Sequence, residues 1–209
     1  IAKCPANDQA SRDTARNLNL YEIETSFYKH LSSRCSARVP DVFYSEYDSV
    51  TKDGTIFLED MHPAKQIPQM NGCSEFEVKK ILKEAAALHK SFWNDEKLLT
   101  YPWLTYSVSE DRKKFVADLL PVVYPEWKRR YKGRINEEIF DMGDELIANY
   151  EKYSEANAGP MTLVQGDLRL DNILFDDESN AAILLDWQTA SIGLPLNDIC
   201  LLYTSPSPR

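Results

Sequence analysis

Three polar residues at fixed spacing could do chemistry together in this chain. Asp167 and Asn172 stand five positions apart in Val164-Gln165-Gly166-Asp167-Leu168-Arg169-Leu170-Asp171-Asn172-Ile173-Leu174-Phe175, and Asp186 follows the apolar run 181–185. Short apolar runs separated by a polar loop and an acidic turn read as strands that hold the loop and the later aspartate side by side. The chemistry that needs such a set is phosphoryl transfer from ATP. One carboxylate beside a hydroxyl accepts its proton, and a second carboxylate with an amide holds Mg²⁺ on the triphosphate. Mg²⁺ takes oxygen ligands at about 2.0–2.1 Å and keeps several waters, so two protein ligands suffice. Asp167 is the candidate base, Asp186 the candidate bridge from the metal to the β- and γ-phosphates, and Asn172 the second coordination position. A lone Gly-Asp would read as a turn; the step to Asn172 and then Asp186 argues for more.

Protein kinases use the same spacing logic, an aspartate and an asparagine five residues later, then a second aspartate beyond a hairpin. Gly166-Asp167-Leu168-Arg169-Leu170-Asp171-Asn172-Ile173-Leu174-Phe175 with Asp186-Trp187-Gln188 resembles the aminoglycoside phosphotransferase / choline-kinase-like superfamily. The variant is most similar to the ecdysteroid-kinase-like branch and related bacterial phosphotransferases. That family usually writes His-Gly-Asp where this chain has Gln165-Gly166-Asp167. The histidine there is a scaffold residue, and glutamine also donates and accepts hydrogen bonds.

The resemblance implies an ATP- and Mg²⁺-dependent kinase acting on a small-molecule hydroxyl. It also implies an α+β, protein-kinase-like fold with a β-rich lobe and a mainly helical lobe. It places Glu24 in Glu-x-x-Phe27-Tyr28, Lys3 in an Ala-Lys strand end, and Leu58-Glu59-Asp60-Met61 at the hinge. There the Glu59 C=O and the Met61 N–H would read adenine through the backbone. Asp198, in Gly193-Leu194-Pro195-Leu196-Asn197-Asp198, would hydrogen-bond back to the catalytic loop as scaffold, with Gln165 and Gly166 as further support.

The elements that must position these groups follow from periodicity. Residues 1–3 read as the tail of a strand, and a helix is expected over 14–30, with Leu20, Phe27 and Leu31 on its apolar stripe. Glu24 falls in that stripe, where a carboxylate needs a partner. Lys3 is the available cation, to hold the α- and β-phosphates while Glu24 orients it. Strands are expected over 40–47 and 55–59 with Lys52-Asp53-Gly54 as their turn. Ser74 and Glu77 form a capping box opening a helix to about Trp93. Its stripe is Val78, Ile81, Leu82, Ala85, Leu88 and Phe92, with His89 on the edge as a structural residue. Further helices are expected at 109–120, 124–131 and 135–153, the last with Ile139, Leu146, Ile147 and Tyr150 on one side. Arg169 is either a γ-phosphate neutraliser or an exposed surface arginine. Trp187 after the metal aspartate suggests a packed segment that does not swing out. Residues 1–61 are read as a partial N-terminal lobe and 62–199 as the C-terminal lobe.

The chain has 209 residues and a net charge of −9. Without a basic run interleaved with aromatics, nucleic acid and anionic membranes are not the expected partners. No apolar stretch approaches the ~20 residues of a membrane span. Cys4, Cys35 and Cys73 are scattered, without Cys-x-x-Cys spacing, which reads as reduced thiols in the cytoplasm. Both ends read as cut. No glycine-rich phosphate loop occurs, so the chain is expected to bind ATP weakly or not at all and to be weakly active or inactive. Residues 200–209 match a translated sequencing-library adapter and are expected to be foreign, removing the helix after Asp198. A nucleotide-binding pseudokinase is the competing reading, hinted at by Gln165. A protein kinase is disfavoured, because Asp186 and Asp198 are only twelve residues apart, too few for a long activation loop. The acceptor and the oligomeric state are not legible.

Overall fold

The computed structural model describes residues 1–155 and 159–204. The chain divides into two compact units, Ile1–Leu104 with Pro160–Arg209, and the intervening Thr105–Gly159. Both expected lobes therefore fall in the first unit, apart from the intervening segment, and the division does not coincide with the 61/62 boundary.

In the first unit β1 (Ala2–Lys3), β2 (Val42–Asp48) and β3 (Asp53–Leu58) form an antiparallel sheet in the order β1-β3-β2. Lys3 lies opposite Ile56. The expected helix over 14–30 is two helices, α1 (Gln9–Asn17) and α2 (Leu20–His30). The break is at Asn19, which takes φ 57°; asparagine adopts this left-handed conformation more readily than most residues. α1 is fastened by Arg12 and Arg16, which both grip Asp53 at the start of β3. The β2–β3 turn sits at 49–52, earlier than expected, with Lys52 at φ 58° and the Asp48 carboxylate accepting from Val50 N–H at 2.8 Å. Gly54 is a strand residue: a Cβ there would stand 2.8 Å from Thr25 Cγ2, so the glycine lets α2 lie close against the sheet.

After Met61 the chain makes β4 (Lys65–Gln66), which pairs with β6 (Ile173–Asp176). β6 continues to β7 (Ala181–Leu184), and β5 (Thr162–Val164) pairs with β8 (Ser191–Gly193). The capping box forms as expected and opens α3 (Glu75–Ser91). Ile81, Ala85, Leu88 and Phe92 are fully buried, whereas Leu82 faces solvent. α3 packs on β5 and β7 and so backs the loop that carries Asp167.

The helix expected to be missing after Asp198 is present. α8 (Leu196–Thr204) runs into the suspected tail, because Ile199 and Leu202–Tyr203 continue an apolar helical spacing and α8 packs on α3. Residues 205–209 of that tail lie outside the described residues.

α4 (Pro102–Thr105) leads to the second unit, which contains α5 (Glu110–Tyr131), α6 (Glu137–Ala148) and α7 (Tyr150–Glu155). The two helices expected at 109–120 and 124–131 are one, continuous through Pro121 and Pro125. Proline in a helix interior costs about 3 kcal/mol. Aromatic packing offsets that cost: Trp127 meets Tyr124 at 5.6 Å and Phe140 at 5.7 Å, and Tyr124 Oη donates to the Phe140 carbonyl at 2.8 Å. Conversely, the helix expected over 135–153 breaks at Asn149, whose amide Nδ2 donates back to the Glu145 carbonyl at 2.9 Å. Phe140 is the buried anchor of α6, and Ile139 and Leu146, expected on the buried side, are exposed. Among the described residues no helix is long and apolar enough to cross a membrane.

Candidate active site

Lys3 leaves β1 beside Glu24 of α2, with Nζ 2.6 Å from Oε1. The Glu24 side chain is only 3% exposed. Burial pushes its carboxyl upward from the usual range, while Lys3 and a hydrogen bond from Gln188 pull it back. That bond, from Gln188 Nε2 to Glu24 Oε2, is 3.3 Å long. Lys3 Nζ is also 3.7 Å from Asp186 Oδ1, so one ammonium stands between the helix carboxylate and the candidate metal ligand.

The loop with the candidate base follows β5. Asp167 Oδ2 accepts from Asn172 Nδ2 at 2.8 Å and from Arg169 Nε at 3.1 Å. Asn172 Nδ2 also donates to the Asp167 carbonyl at 2.9 Å. These bonds use one carboxylate oxygen and the asparagine nitrogen, so Asp167 Oδ1 and Asn172 Oδ1 take no part in them. The Asn172 carbonyl accepts from Leu185 N–H at 2.9 Å, tying the loop to the residue before Asp186. Arg169 is thus ion-paired with the candidate base, with Asp171 as a second, longer partner at 3.7 Å.

Asp186 sits at φ 58°, and its Oδ1 is buried without a hydrogen-bond partner. The Lys3 ammonium at 3.7 Å offsets its charge without hydrogen-bonding it, and a buried acceptor left without such a bond is costly. Together with the Asn172 oxygen it is a hard oxygen donor pair, the type Mg²⁺ takes. Among the described residues no cluster of three or more His, Cys, Asp or Glu side chains could hold a metal. A site of this kind therefore needs phosphate oxygens and water to complete it.

One buried network sets the loop's position. Gln165, fully buried, accepts from Asp167 N–H at 2.8 Å through Oε1 and donates through Nε2 to the Leu185 and Asp186 carbonyls at 3.0 and 2.7 Å. Its side chain therefore bridges the base loop and the metal segment. Asp198, 1% exposed, accepts from Gln165 N–H at 3.1 Å and Gly166 N–H at 2.9 Å, and pairs with His89 Nε2 at 2.9 Å. His89 is structural, as its place on the stripe suggested, but its partner is 109 residues away and no local pattern announces it. At Gly166, with φ 82°, a Cβ would stand 2.4 Å from the Thr189 carbonyl oxygen.

Lys3, Glu24, Asn172 and Asp186 face a cleft of about 270 Å³, whose lining does not include Asp167 or Arg169. Ile1, Leu58, Met61, Leu174 and Leu185 give it apolar walls, and Lys3, Glu24, Asn172 and Asp186 its polar end. Glu59 lines it too. The Glu59 side chain is clamped: Arg38 Nη2 reaches both its oxygens at 2.9 Å, and Asp41 N–H donates at 3.0 Å. The Asp41 N–H and the Arg38 guanidinium lower its carboxyl pKa. Arg38 was invisible as a site residue because the pairing spans 21 positions. Tyr28 also lines the cleft, and burial holds its hydroxyl well above the usual phenol range.

The model of the ecdysteroid kinase-like family matches residues 1–209. The chain belongs to the ecdysteroid kinase-like family. Among solved structures it is similar to the gentamicin complex of APH(2″)-IIa, at 20% identity and TM-score 0.60, covering 98% of this chain and 64% of that one. The GDP and kanamycin complex of APH(2″)-IIia gives 13% identity and TM-score 0.57, over 93% and 64% of the two chains. These likenesses establish the kinase-like fold. Curated relatives match in part: mouse (Mus musculus) acyl-CoA dehydrogenase family member 10 at 31% over 95 residues, and the human (Homo sapiens) family member 11 at 34% over 74 residues. The matches cover 44% and 35% of this chain and 9% of each relative. The chain spans under two thirds of the similar structures and a small part of the curated relatives.

Proposed function

We propose that the chain is the nucleotide-binding and catalytic part of a kinase that moves the γ-phosphoryl group of ATP to a hydroxyl of a small molecule in the cytoplasm. The observation that carries this is the gathering of Lys3, Asn172 and Asp186 at the polar end of one cleft, with Asp167 held by Asn172 beside it. Lys3, steadied by Glu24, would neutralise the α- and β-phosphates. Asp186 and Asn172 would hold Mg²⁺, which when bound supplies charge neutralisation on the triphosphate. The Glu59 carbonyl and the Met61 N–H would pair with adenine.

Asp167 presents Oδ1 to the acceptor. Arg169 and Asn172 occupy Oδ2 and so fix which oxygen faces the incoming hydroxyl. The hydroxyl proton passes to Asp167 as the acceptor oxygen bonds to phosphorus and the bond to the ADP oxygen breaks. Arg169 serves first to orient the base; contact with the γ-phosphate would require it to leave Asp167.

A pseudokinase would bind nucleotide without turnover. The Gln165 replacement that hinted at it leaves no gap, since its amide bonds at both ends. The test is a screen of small-molecule alcohols with labelled ATP, using the 209-residue chain and Asp167→Asn. Phosphorylated product from the parent chain, reduced about 10²–10⁴-fold in the variant, supports the reading. Mg·ATP binding with no product in either protein favours the pseudokinase. Similarities to aminoglycoside-bound structures bring cationic amino sugars into the screen as one acceptor class.

A further inference from the structure

The segment after the candidate metal ligand makes two separate attachments to α2. Trp187, fully buried, stacks on Phe27 with ring centroids 3.7 Å apart and planes 9° from parallel. One residue on, Gln188 donates to Glu24 Oε2. Phe27 and Glu24 are three positions apart on α2 and so lie on one face of it.

Glu24 cannot be left half-satisfied. It is almost fully buried, and Lys3 uses only one of its oxygens. Without Gln188 the other oxygen would have no hydrogen-bond donor among these contacts, and burial would favour the neutral carboxyl, which holds an ammonium poorly. Gln188 is two residues from Asp186, so the contacts close a ring: Lys3 to Glu24, Glu24 to Gln188, then through Trp187 to Asp186 and back to Lys3. α2 and the metal segment are joined by a polar contact and a ring stack at once.

We propose that Gln188 is a positioning residue for nucleotide binding: its amide holds the second oxygen of Glu24 and so keeps Lys3 aimed at the phosphates from the same segment that carries Asp186. This rests on the nucleotide site proposed above. It predicts coupling between Gln188 and Glu24 that a role confined to packing would not produce. Gln188→Leu keeps the side-chain bulk and removes the donor. Glu24→Gln keeps the shape and removes the charge.

The experiment measures Mg·ATP affinity by calorimetry for the 209-residue chain, Gln188→Leu, Glu24→Gln and the double variant. Thermal unfolding of each without nucleotide is measured alongside. Loss of one such hydrogen bond corresponds to a weakening of about two- to tenfold. Gln188→Leu is expected to weaken binding by that factor and to lower the unfolding temperature by a few degrees, because a buried Glu24 oxygen loses its donor. The double variant is expected to bind no more weakly than Glu24→Gln alone, because both changes act through Lys3.

Unchanged affinity in Gln188→Leu overturns the inference and leaves the nucleotide site standing. Additive losses in the double variant also overturn it. Absence of Mg·ATP binding by the parent chain overturns this inference, which needs an occupied site, and counts against the nucleotide site in this chain. Should Gln188→Leu fail to fold, Gln188→Met, an unbranched apolar chain of similar length, is read by the same criteria.

Discussion

Asp198→Asn is expected to destabilise the protein by about 3 kcal/mol, and the reason lies in the directions of three hydrogen bonds. The carboxylate, 1% exposed, receives Gly166 N–H on Oδ1 and both Gln165 N–H and His89 Nε2 on Oδ2. An asparagine has one oxygen. Its best orientation keeps that oxygen where Oδ2 was and turns its NH₂ toward Gly166 N–H, donor against donor. One charge-assisted bond, about 1.5–3 kcal/mol, is lost, and a backbone N–H is left unsatisfied at about 1–3 kcal/mol. Partial relaxation brings the sum to about 3 kcal/mol, a large share of the roughly 5–15 kcal/mol by which domains are stable. For a chain of this length about 2–4 °C per kcal/mol converts it to a fall of roughly 6–12 °C. Thermal unfolding followed by circular dichroism measures it. A fall of under about 2 °C would mean that the loop is not held by Asp198, and the scaffold account of Gln165 and Gly166 would be wrong.

Two further outcomes follow from the same coordinates. Trp187→Ala should cost about 3–5 kcal/mol, the range for emptying a buried large aromatic site, read as a lower denaturant midpoint; a loss under about 1 kcal/mol would show that the Phe27 stack contributes little. Asp53→Asn should lower stability at neutral pH. Arg12 and then Arg16 depress the Asp53 carboxyl, so its contribution is complete above the unfolded-state value of about 3.9 and disappears as pH falls through the depressed folded value. Melting curves of the parent and the variant should therefore converge in strong acid; a gap that stays constant down to the lowest pH would reject the ion-pair account.

The nearness of the polar groups was legible in the letters because the proposed chemistry would fix both residue type and spacing. Asp167, Asn172 and Asp186 occupy one hairpin, so short-range order in the sequence becomes proximity in space. Lys3 and Glu24 were legible for another reason: a carboxylate on an apolar stripe demands a cation. What stayed hidden depends on partners far along the chain. Arg38 on Glu59, His89 on Asp198 and Gln188 on Glu24 are pairings that no window of sequence contains. Local rules also misjudged residues with more than one use. Gly54 looked like a turn glycine and instead admits α2 to the sheet, with Lys52 supplying the turn. Pro121 looked like a helix end, yet the aromatic cluster around Trp127 carries α5 through it. Asn19 and Asn149 interrupt helices that apolar periodicity alone joins.

The absent side chain at position 166 sets a tolerance for the whole machine. Where the peptide after β5 passes the Thr189 oxygen there is no slack for even a methyl group. Any larger residue would act as a shim between the loop that carries Asp167 and the turn just beyond Asp186, pushing apart two segments that the Gln165 side chain ties together. The spacing of these two segments is thus kept by a hydrogen atom.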